Sequence, residues 1–266
     1  MGYFKRRKMA TRHHRIVQSQ ATTESQRWNH NIHYIPVLVA AIPGGARTAL
    51  DVGCGDGLLA RRLHQRVEQV TGIDLDADQI ALALAASART VSVDESDGIE
   101  YIVGDVMTHP FATTFDVVAT VATLHHLDTE RGLLRLADLV APGGVLAIEG
   151  LARSTTVADG LHDMAGTVLT QVLKRTGGRR YFEHSAPVVW PPKDSFSDIR
   201  RLSTRLLPGS IYRRHHLWRY TLIWRKPAPV GSDRGDRGTT GLPASTPSSS
   251  PGTPRRSPSG NRSVPP

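Results

Sequence analysis

Cysteine is almost absent from this chain of 266 residues: Cys54 is the only one. A single thiol excludes an intrachain disulfide and a thiolate-rich zinc centre. No His, Asp or Glu cluster has metal-ligand spacing either, so no metal is expected. Long apolar runs are also missing, and none approaches the ~20 residues of a membrane helix. The basic N-terminus is not followed by the apolar segment of a signal peptide. These absences lead us to expect a cytoplasmic protein with no membrane partner.

Positive charge is plentiful overall, at +9, but scarce in the body of the chain. Residues 1–26 hold six Lys or Arg against one Glu, and residues 227–266 five Arg against two Asp, which leaves +1 for 27–226. Residues 227–266 are also 23 parts in 40 Pro, Gly and Ser, too polar to offset their chain entropy by burial. We therefore expect three parts: a disordered basic segment 1–26, a folded domain 27–226, and a disordered tail 227–266.

Within the domain, strand and helix patterns alternate. "TALDVG", "QVTGIDL", "EYIVGDV", "FDVVATV" and "VLAIEGL" read as five strands. Leu59, Leu63 and Val67 mark the helix after the first. Asp76 with Gln79 resembles a capping box, and Ile80, Ala83 and Leu84 form the apolar stripe behind it. Asp128 or Thr129 caps a helix with core face Leu133, Leu136, Ala137 and Val140, which "APGG" stops. This alternation predicts an α/β, Rossmann-like, doubly wound and mainly parallel sheet. "GSIYRRHHLWRYTLIWRK" adds antiparallel strand character at the C-terminal end. Helices are expected over 158–176 and 194–206, and the region 152–206 reads as a lid or substrate region.

The stretch "TALDVGCGDGLLARRL" carries Gly53, Gly55 and Gly57 between the first strand and its helix. Glycine allows close approach to a backbone. The G-x-G-x-G spacing is not the dinucleotide G-x-G-x-x-G, which argues against a nucleotide-dependent oxidoreductase. Asp51 and Asp56 would repel a phosphate, so the ligand should be neutral or cationic. Asp74 ends the second strand 17 residues after Gly57, where a carboxylate can accept both hydroxyls of a ribose. Asp105, after the third strand, can accept from an exocyclic amine. Ribose, amino base, positive charge and no phosphate describe S-adenosylmethionine.

The order "LDVGCGDG", "GIDLD", "VGDV", "FDVVATVATLHHL", "LVAPGGVL" resembles the successive motifs of class I S-adenosylmethionine-dependent methyltransferases over roughly residues 30–151. The resemblance implies that Asp51 and Gly53 face the donor's methionine part, with Gly55 and Gly57 in the same loop. It places Asp74 at the ribose hydroxyls, Asp105 at the adenine amine, Val106 beside the ring, and Thr120 and Val121 near the methyl group, with Leu75 also counted among the cofactor-binding residues. "NHNIHYIP" and "LWRYTLIWRKP" suggest the branch acting on small molecules.

His125 and His126 follow the fourth strand, where donor and acceptor should meet, and either is a candidate general base. One should face the acceptor and the other should pack or cap. Trp28, His33 and Tyr34 either cover the cofactor or pack on the sheet. Asp56 reads as solvent-exposed or capping, Cys54 as packing, and His215 and His216 as surface or packing residues. Two rival functions fit the sequence less well or leave its loop unexplained beyond binding. A nucleic-acid methyltransferase lacks its N/D-P-P-Y/F tetrad here, where the chain reads "TVAT", and a basic folded face is missing too, so a nucleic-acid partner is not expected. A cofactor-binding module without activity would keep the glycine loop and Asp74. The acceptor, the receiving atom and the oligomeric state are open at this stage.

Overall fold

The computed structural model describes Glu24 and residues 27–90, 98–175, 180–181 and 190–228. The two expected disordered segments fall outside these residues, apart from Glu24, Pro227 and Ala228. Along the chain the elements are β1 (Arg27–Trp28), a 3-10 turn (Ile32–Tyr34), α1 (Ile35–Ala40), β2 (Thr48–Val52), α2 (Leu58–His64), β3 (Gln69–Asp74), α3 (Ala77–Thr90), β4 (Ile99–Val103), β5 (Phe115–Val121), a 3-10 turn (Leu124–His126), α4 (Thr129–Leu139), β6 (Val140–Leu151), α5 (Val157–Arg175), β7 (Arg180–Tyr181), α6 (Phe196–Leu206), β8 (Ile211–His215) and β9 (Arg219–Arg225).

The five strands expected from the sequence are β2 to β6. They belong to a seven-stranded sheet of order β4-β3-β2-β5-β6-β9-β8, in which only β9 runs against its neighbours β6 and β8. Alternation along each strand assigns the two faces. Leu50, Val52, Val118, Leu146 and Ile148 point into the core under α4 and α6, while Ala49, Val117, Ala119, Val145 and Ala147 meet α1 and α2. Covering both faces leaves the ends of the strands open to ligands, and such sheets bind them at the carboxyl ends of the parallel strands.

Three local expectations need correction. "APGG" does not precede β6 but lies inside it, at an irregularity where the β5 register passes from Phe115–Val140 to Val117–Val145. Asp76 does not close a box with Gln79: its N–H donates to Asp74 Oδ1, and its side chain accepts from Asp78 N–H. Leu84 is exposed, because the face of α3 that meets the sheet follows Ile80, Ala83 and Ser87. The structure also adds a short parallel pair that the sequence reading lacked, β1 with β7. Of the two proposed caps of α4, Asp128 is the one used, accepting from Arg131 N–H.

Candidate active site

The glycine loop leaves β2 with Gly53 and Cys54 N–H both donating to Ile73 O. Gly53 and Gly57 have φ of 68° and 76°, a region that L-residues avoid. A Cβ on Gly53 would stand 2.2 Å from Thr123 Oγ1, and one on Gly57 2.3 Å from the Tyr101 hydroxyl. Part of the need for glycine is thus internal: these turns admit side chains from β4 and from the loop after β5. Gly55 N–H donates to Asp74 Oδ2 at 2.9 Å, while Asp76 N–H holds the other carboxylate oxygen. Two backbone donors therefore orient Asp74, and each oxygen keeps a lone pair. Beside it Leu75 is 70% exposed, an apolar surface that nothing among the described residues covers. Gly104 N–H donates to Asp74 O, bringing the β4 exit alongside, and Asp105 Oδ1 accepts from Met107 N–H at 2.9 Å.

Asp51 lies one layer deeper and is wholly buried. Burial raises its carboxyl to about 8, partly offset by a hydrogen bond from Ala60 N–H. Oδ2 has no hydrogen-bond partner among the described residues. A buried carboxylate with an unused oxygen suits a cationic ligand. The group that the motif resemblance implies, a sulfonium with an ammonium and a ribose, fits this donor set: Asp51 for charge, Asp74 for hydroxyls with the exposed Leu75 beside it, and Asp105 for an amine.

Other expected site residues have internal roles. Thr120 is fully buried, and its hydroxyl donates to Val52 O at 2.8 Å, tying β5 to β2. Val106 is buried in the main core, and its carbonyl accepts from Arg135 Nε. Val121 packs partly on the α1–α2 side, with its carbonyl accepting from the Thr123 hydroxyl. Asp56 is neither exposed nor capping. It is buried against Arg27 at 2.5 Å, because β1 carries Arg27 back over the loop, and its carbonyl accepts from Arg61. Cys54 is buried, with its thiol pushed far above the usual range by burial.

The two histidines differ in environment, and His126 is exposed where one of the pair was expected to pack or cap. Past Ala122, a non-glycine residue at φ 52°, the 3-10 turn leaves His126 exposed and His125 half-buried, with the rings 4.1 Å apart. His125 Nδ1 is buried and without a hydrogen-bond partner among the described residues. Burial first, then His126 and Arg219, lowers its imidazole to about 4. It is neutral at pH 7.

Trp28, His33 and Tyr34 lie further along the same edge. Trp28 and Tyr34 are buried with Leu217 and pack against Leu169 and Leu173 of α5. Trp28 Nε1 donates to His33 Nδ1, the Tyr34 hydroxyl donates to His216 O, and Tyr34 stacks on His215 at 4.5 Å. His216 stacks on His162 at 4.4 Å, so both late histidines pack.

The sequence reading missed the charged group beneath this cluster. Glu149, fully buried near the end of β6, has Arg219 Nε 2.8 Å from its Oε1. The single Nε hydrogen is directed at Asn31 Oδ1, which also accepts from Arg219 Nη2. Burial outweighs the guanidinium and holds the Glu149 carboxyl up at about 7. A lone carboxylate inside the apolar run "VLAIEGL" was the available signal; its partner was not readable locally. Among the described residues no group of three His, Cys, Asp or Glu could hold a metal ion, and no helix is long and apolar enough to cross a membrane.

Comparison with known proteins agrees with this geometry. Residues 50–148 match the family described as "Methyltransferase domain". The chain is 39% identical over 204 residues, 76% of its length and 98% of the relative's, to an uncharacterized methyltransferase of Mycobacterium tuberculosis (strain ATCC 25618 / H37Rv). It is 33% identical over 112 residues, 41% of its length and 44% of the relative's, to a ubiquinone biosynthesis O-methyltransferase of Serratia proteamaculans (strain 568). Two solved structures share the fold. The [4+2]-cyclase SpnF has a TM-score of 0.52 at 15% identity, covering 74% of this chain and 81% of its own. The N-methyltransferase NodS of Bradyrhizobium japonicum WM9 has a TM-score of 0.50 at 14%, covering 74% and 97%. With its motif order, its mainly parallel sheet and a relative matched along nearly its full length, the chain belongs to the class I S-adenosylmethionine-dependent methyltransferases, with S-adenosylmethionine as its cofactor.

Proposed function

We propose that this enzyme methylates a hydroxyl of a small molecule, and that His125 takes the hydroxyl proton. The observation that carries this reading is the half-buried, neutral His125 ring at the β5 exit, with Nδ1 unpartnered among the described residues. Bound S-adenosylmethionine supplies an electrophilic methyl group. The chain's own tasks are to hold donor and acceptor in line and to receive a proton. Alignment can contribute on the order of 7–11 kcal/mol in well-oriented systems. A neutral imidazole can orient a hydroxyl by accepting its hydrogen bond. As the oxygen gains a methyl group its proton becomes strongly acidic, so even a weak base suffices. An ammonium acceptor would want a free carboxylate, and the nearby Glu149 is committed to Arg219. The name of the ubiquinone biosynthesis relative supports oxygen as the receiving atom, and the near-neutral body supports a small acceptor. On this reading Asp51 answers the donor's charge and Asp74 and Leu75 its ribose end. Asp105 and Val106 lie at the adenine, the glycine loop of Gly53, Gly55 and Gly57 runs under the methionine part, and Thr120 and Val121 shape the floor. The Trp28–His33–Tyr34 cluster lies on the acceptor side, below α5.

The direct test uses donor carrying a carbon-13 methyl and a fractionated small-molecule extract. The product's methyl should be bonded to oxygen. A methyl on nitrogen or carbon, or label only in a macromolecular fraction, would overturn the reading.

Two expectations concern the donor. Asp74→Ala removes charge-assisted hydrogen bonds worth roughly 1.5–3 kcal/mol, so donor affinity should fall about 10- to 100-fold. Calorimetry on the folded variant checks this, and unchanged affinity would sink the assignment. Asp51, held up at about 8, is protonated at neutral pH until a cation favours its ionised form. Donor binding near pH 7 should therefore release a proton, and affinity should rise with pH towards about 8. Calorimetry in buffers of differing protonation enthalpy reads the proton count; zero protons, or affinity falling over that range, excludes Asp51.

A further inference from the structure

We infer that two copies of this chain associate through the outer face of α5, packed antiparallel about a two-fold axis near Met164. The helix is built inside out. Its charged residues before the last turn, Asp159 and Asp163, both face the body and ion-pair with Arg214. His162 donates inward to His215 O, Gly166 lies against Leu217, and Leu169 and Leu173 pack on Trp28 and Tyr34. The outer face carries Val157 (85% exposed), Leu161 (65%), Met164 (67%) and Val168 (64%), with no charge until Lys174. Steps of four, three and four residues make one straight seam, the spacing of paired helices. The exposed residues flanking it include Gly160 and Ala165, small enough for close backbone approach, and the space above Gly160 is open.

The four side chains offer on the order of 500 Å² of apolar surface. That equals the largest single patch of a typical monomer, about 300–600 Å² and commonly functional, and wholly covered in two copies it comes to about the 1,000 Å² of a specific interface. The seam is self-complementary, as an isologous contact requires. With the axis between Met164 and Ala165, Leu161 of each copy meets Val168 of the other. The other occupants fit less well. Residues 229–266 contain almost no large apolar side chains, and the basic residues 1–23 would find no carboxylate on this face. A membrane-surface helix would border its apolar stripe with Lys and Arg, which here appear only at Lys174 and Arg175.

Sedimentation velocity of the full chain should show a dimer that dissociates on dilution in the micromolar range. The double variant Leu161→Glu, Val168→Glu should associate at least ~100-fold more weakly, with a melting temperature equal to that of wild type at dilutions where both are monomeric, because both side chains are exposed in the single chain. Met164→Cys should crosslink into a covalent dimer on mild oxidation, since the native Cys54 is buried. A wild-type chain that stays monomeric at every concentration and fails to crosslink as Met164→Cys overturns the inference. So does a dimer that survives in the double variant, or a monomer that binds phosphatidylglycerol vesicles through Leu161 and Val168.

Discussion

His125→Ala should lower turnover by roughly 10²–10⁴, the usual contribution of a positioned acid–base group, with donor affinity nearly unchanged. His126→Ala should do little, because its ring is turned to solvent. The pH profile separates proton transfer from simple packing. Burial holds the His125 imidazole down at about 4, so the neutral, accepting form persists well below the ordinary histidine range. Turnover with a hydroxyl acceptor should therefore show no loss as pH falls through about 6.5, the ordinary histidine value, while the protein stays folded. A wild-type acid limb at that value, or near-normal turnover in His125→Ala, would remove the base role and leave alignment alone.

Arg219→Met should cost about 3–5 kcal/mol of stability at alkaline pH, because it strands a buried carboxylate. The sign with pH follows from Glu149. Its carboxyl is raised to about 7 in the folded chain, against about 4.3 in an unfolded one. Stability from the protonated form is complete below the lower value and lost as pH rises towards the upper one. Without Arg219 the folded value rises further, so the loss continues past neutrality. The gap in melting temperature between wild type and variant should thus widen from about pH 5.5 to about pH 8.5. At the acid end a smaller cost remains, from Asn31 Oδ1 and from the Leu217 and Trp218 carbonyls that lose Arg219 as donor. Adding Glu149→Gln should restore most of the alkaline loss. A pH-independent gap, or no rescue, would show that Glu149 is not the group being neutralised.

Much of this protein was legible along the chain because the information is local. Period-two and helical apolar patterns place β2 to β6 and their helices. The glycine loop and the carboxylate ending β3 sit within about one supersecondary unit of each other, and the observed Gly55 to Asp74 hydrogen bond spans only 19 residues. Local reading failed where a partner is remote or where burial decides the chemistry. The Asp56 contact needs Arg27, 29 residues away and delivered by the short β1–β7 pair. The Arg219–Asn31 bond spans 188 residues, and Glu149 meets Arg219 only because β9 runs antiparallel to β6. Adjacent His125 and His126 are equivalent in the sequence; one turn of chain past Ala122 buries one ring and exposes the other. The sequence by itself determined the five central strands, the glycine loop and the carboxylate that ends β3, since these follow from residue type and short spacing. Only the tertiary structure decided which histidine is neutral and inward, which carboxylates are desolvated, and which face of α5 is left apolar, because each depends on what distant strands bring alongside.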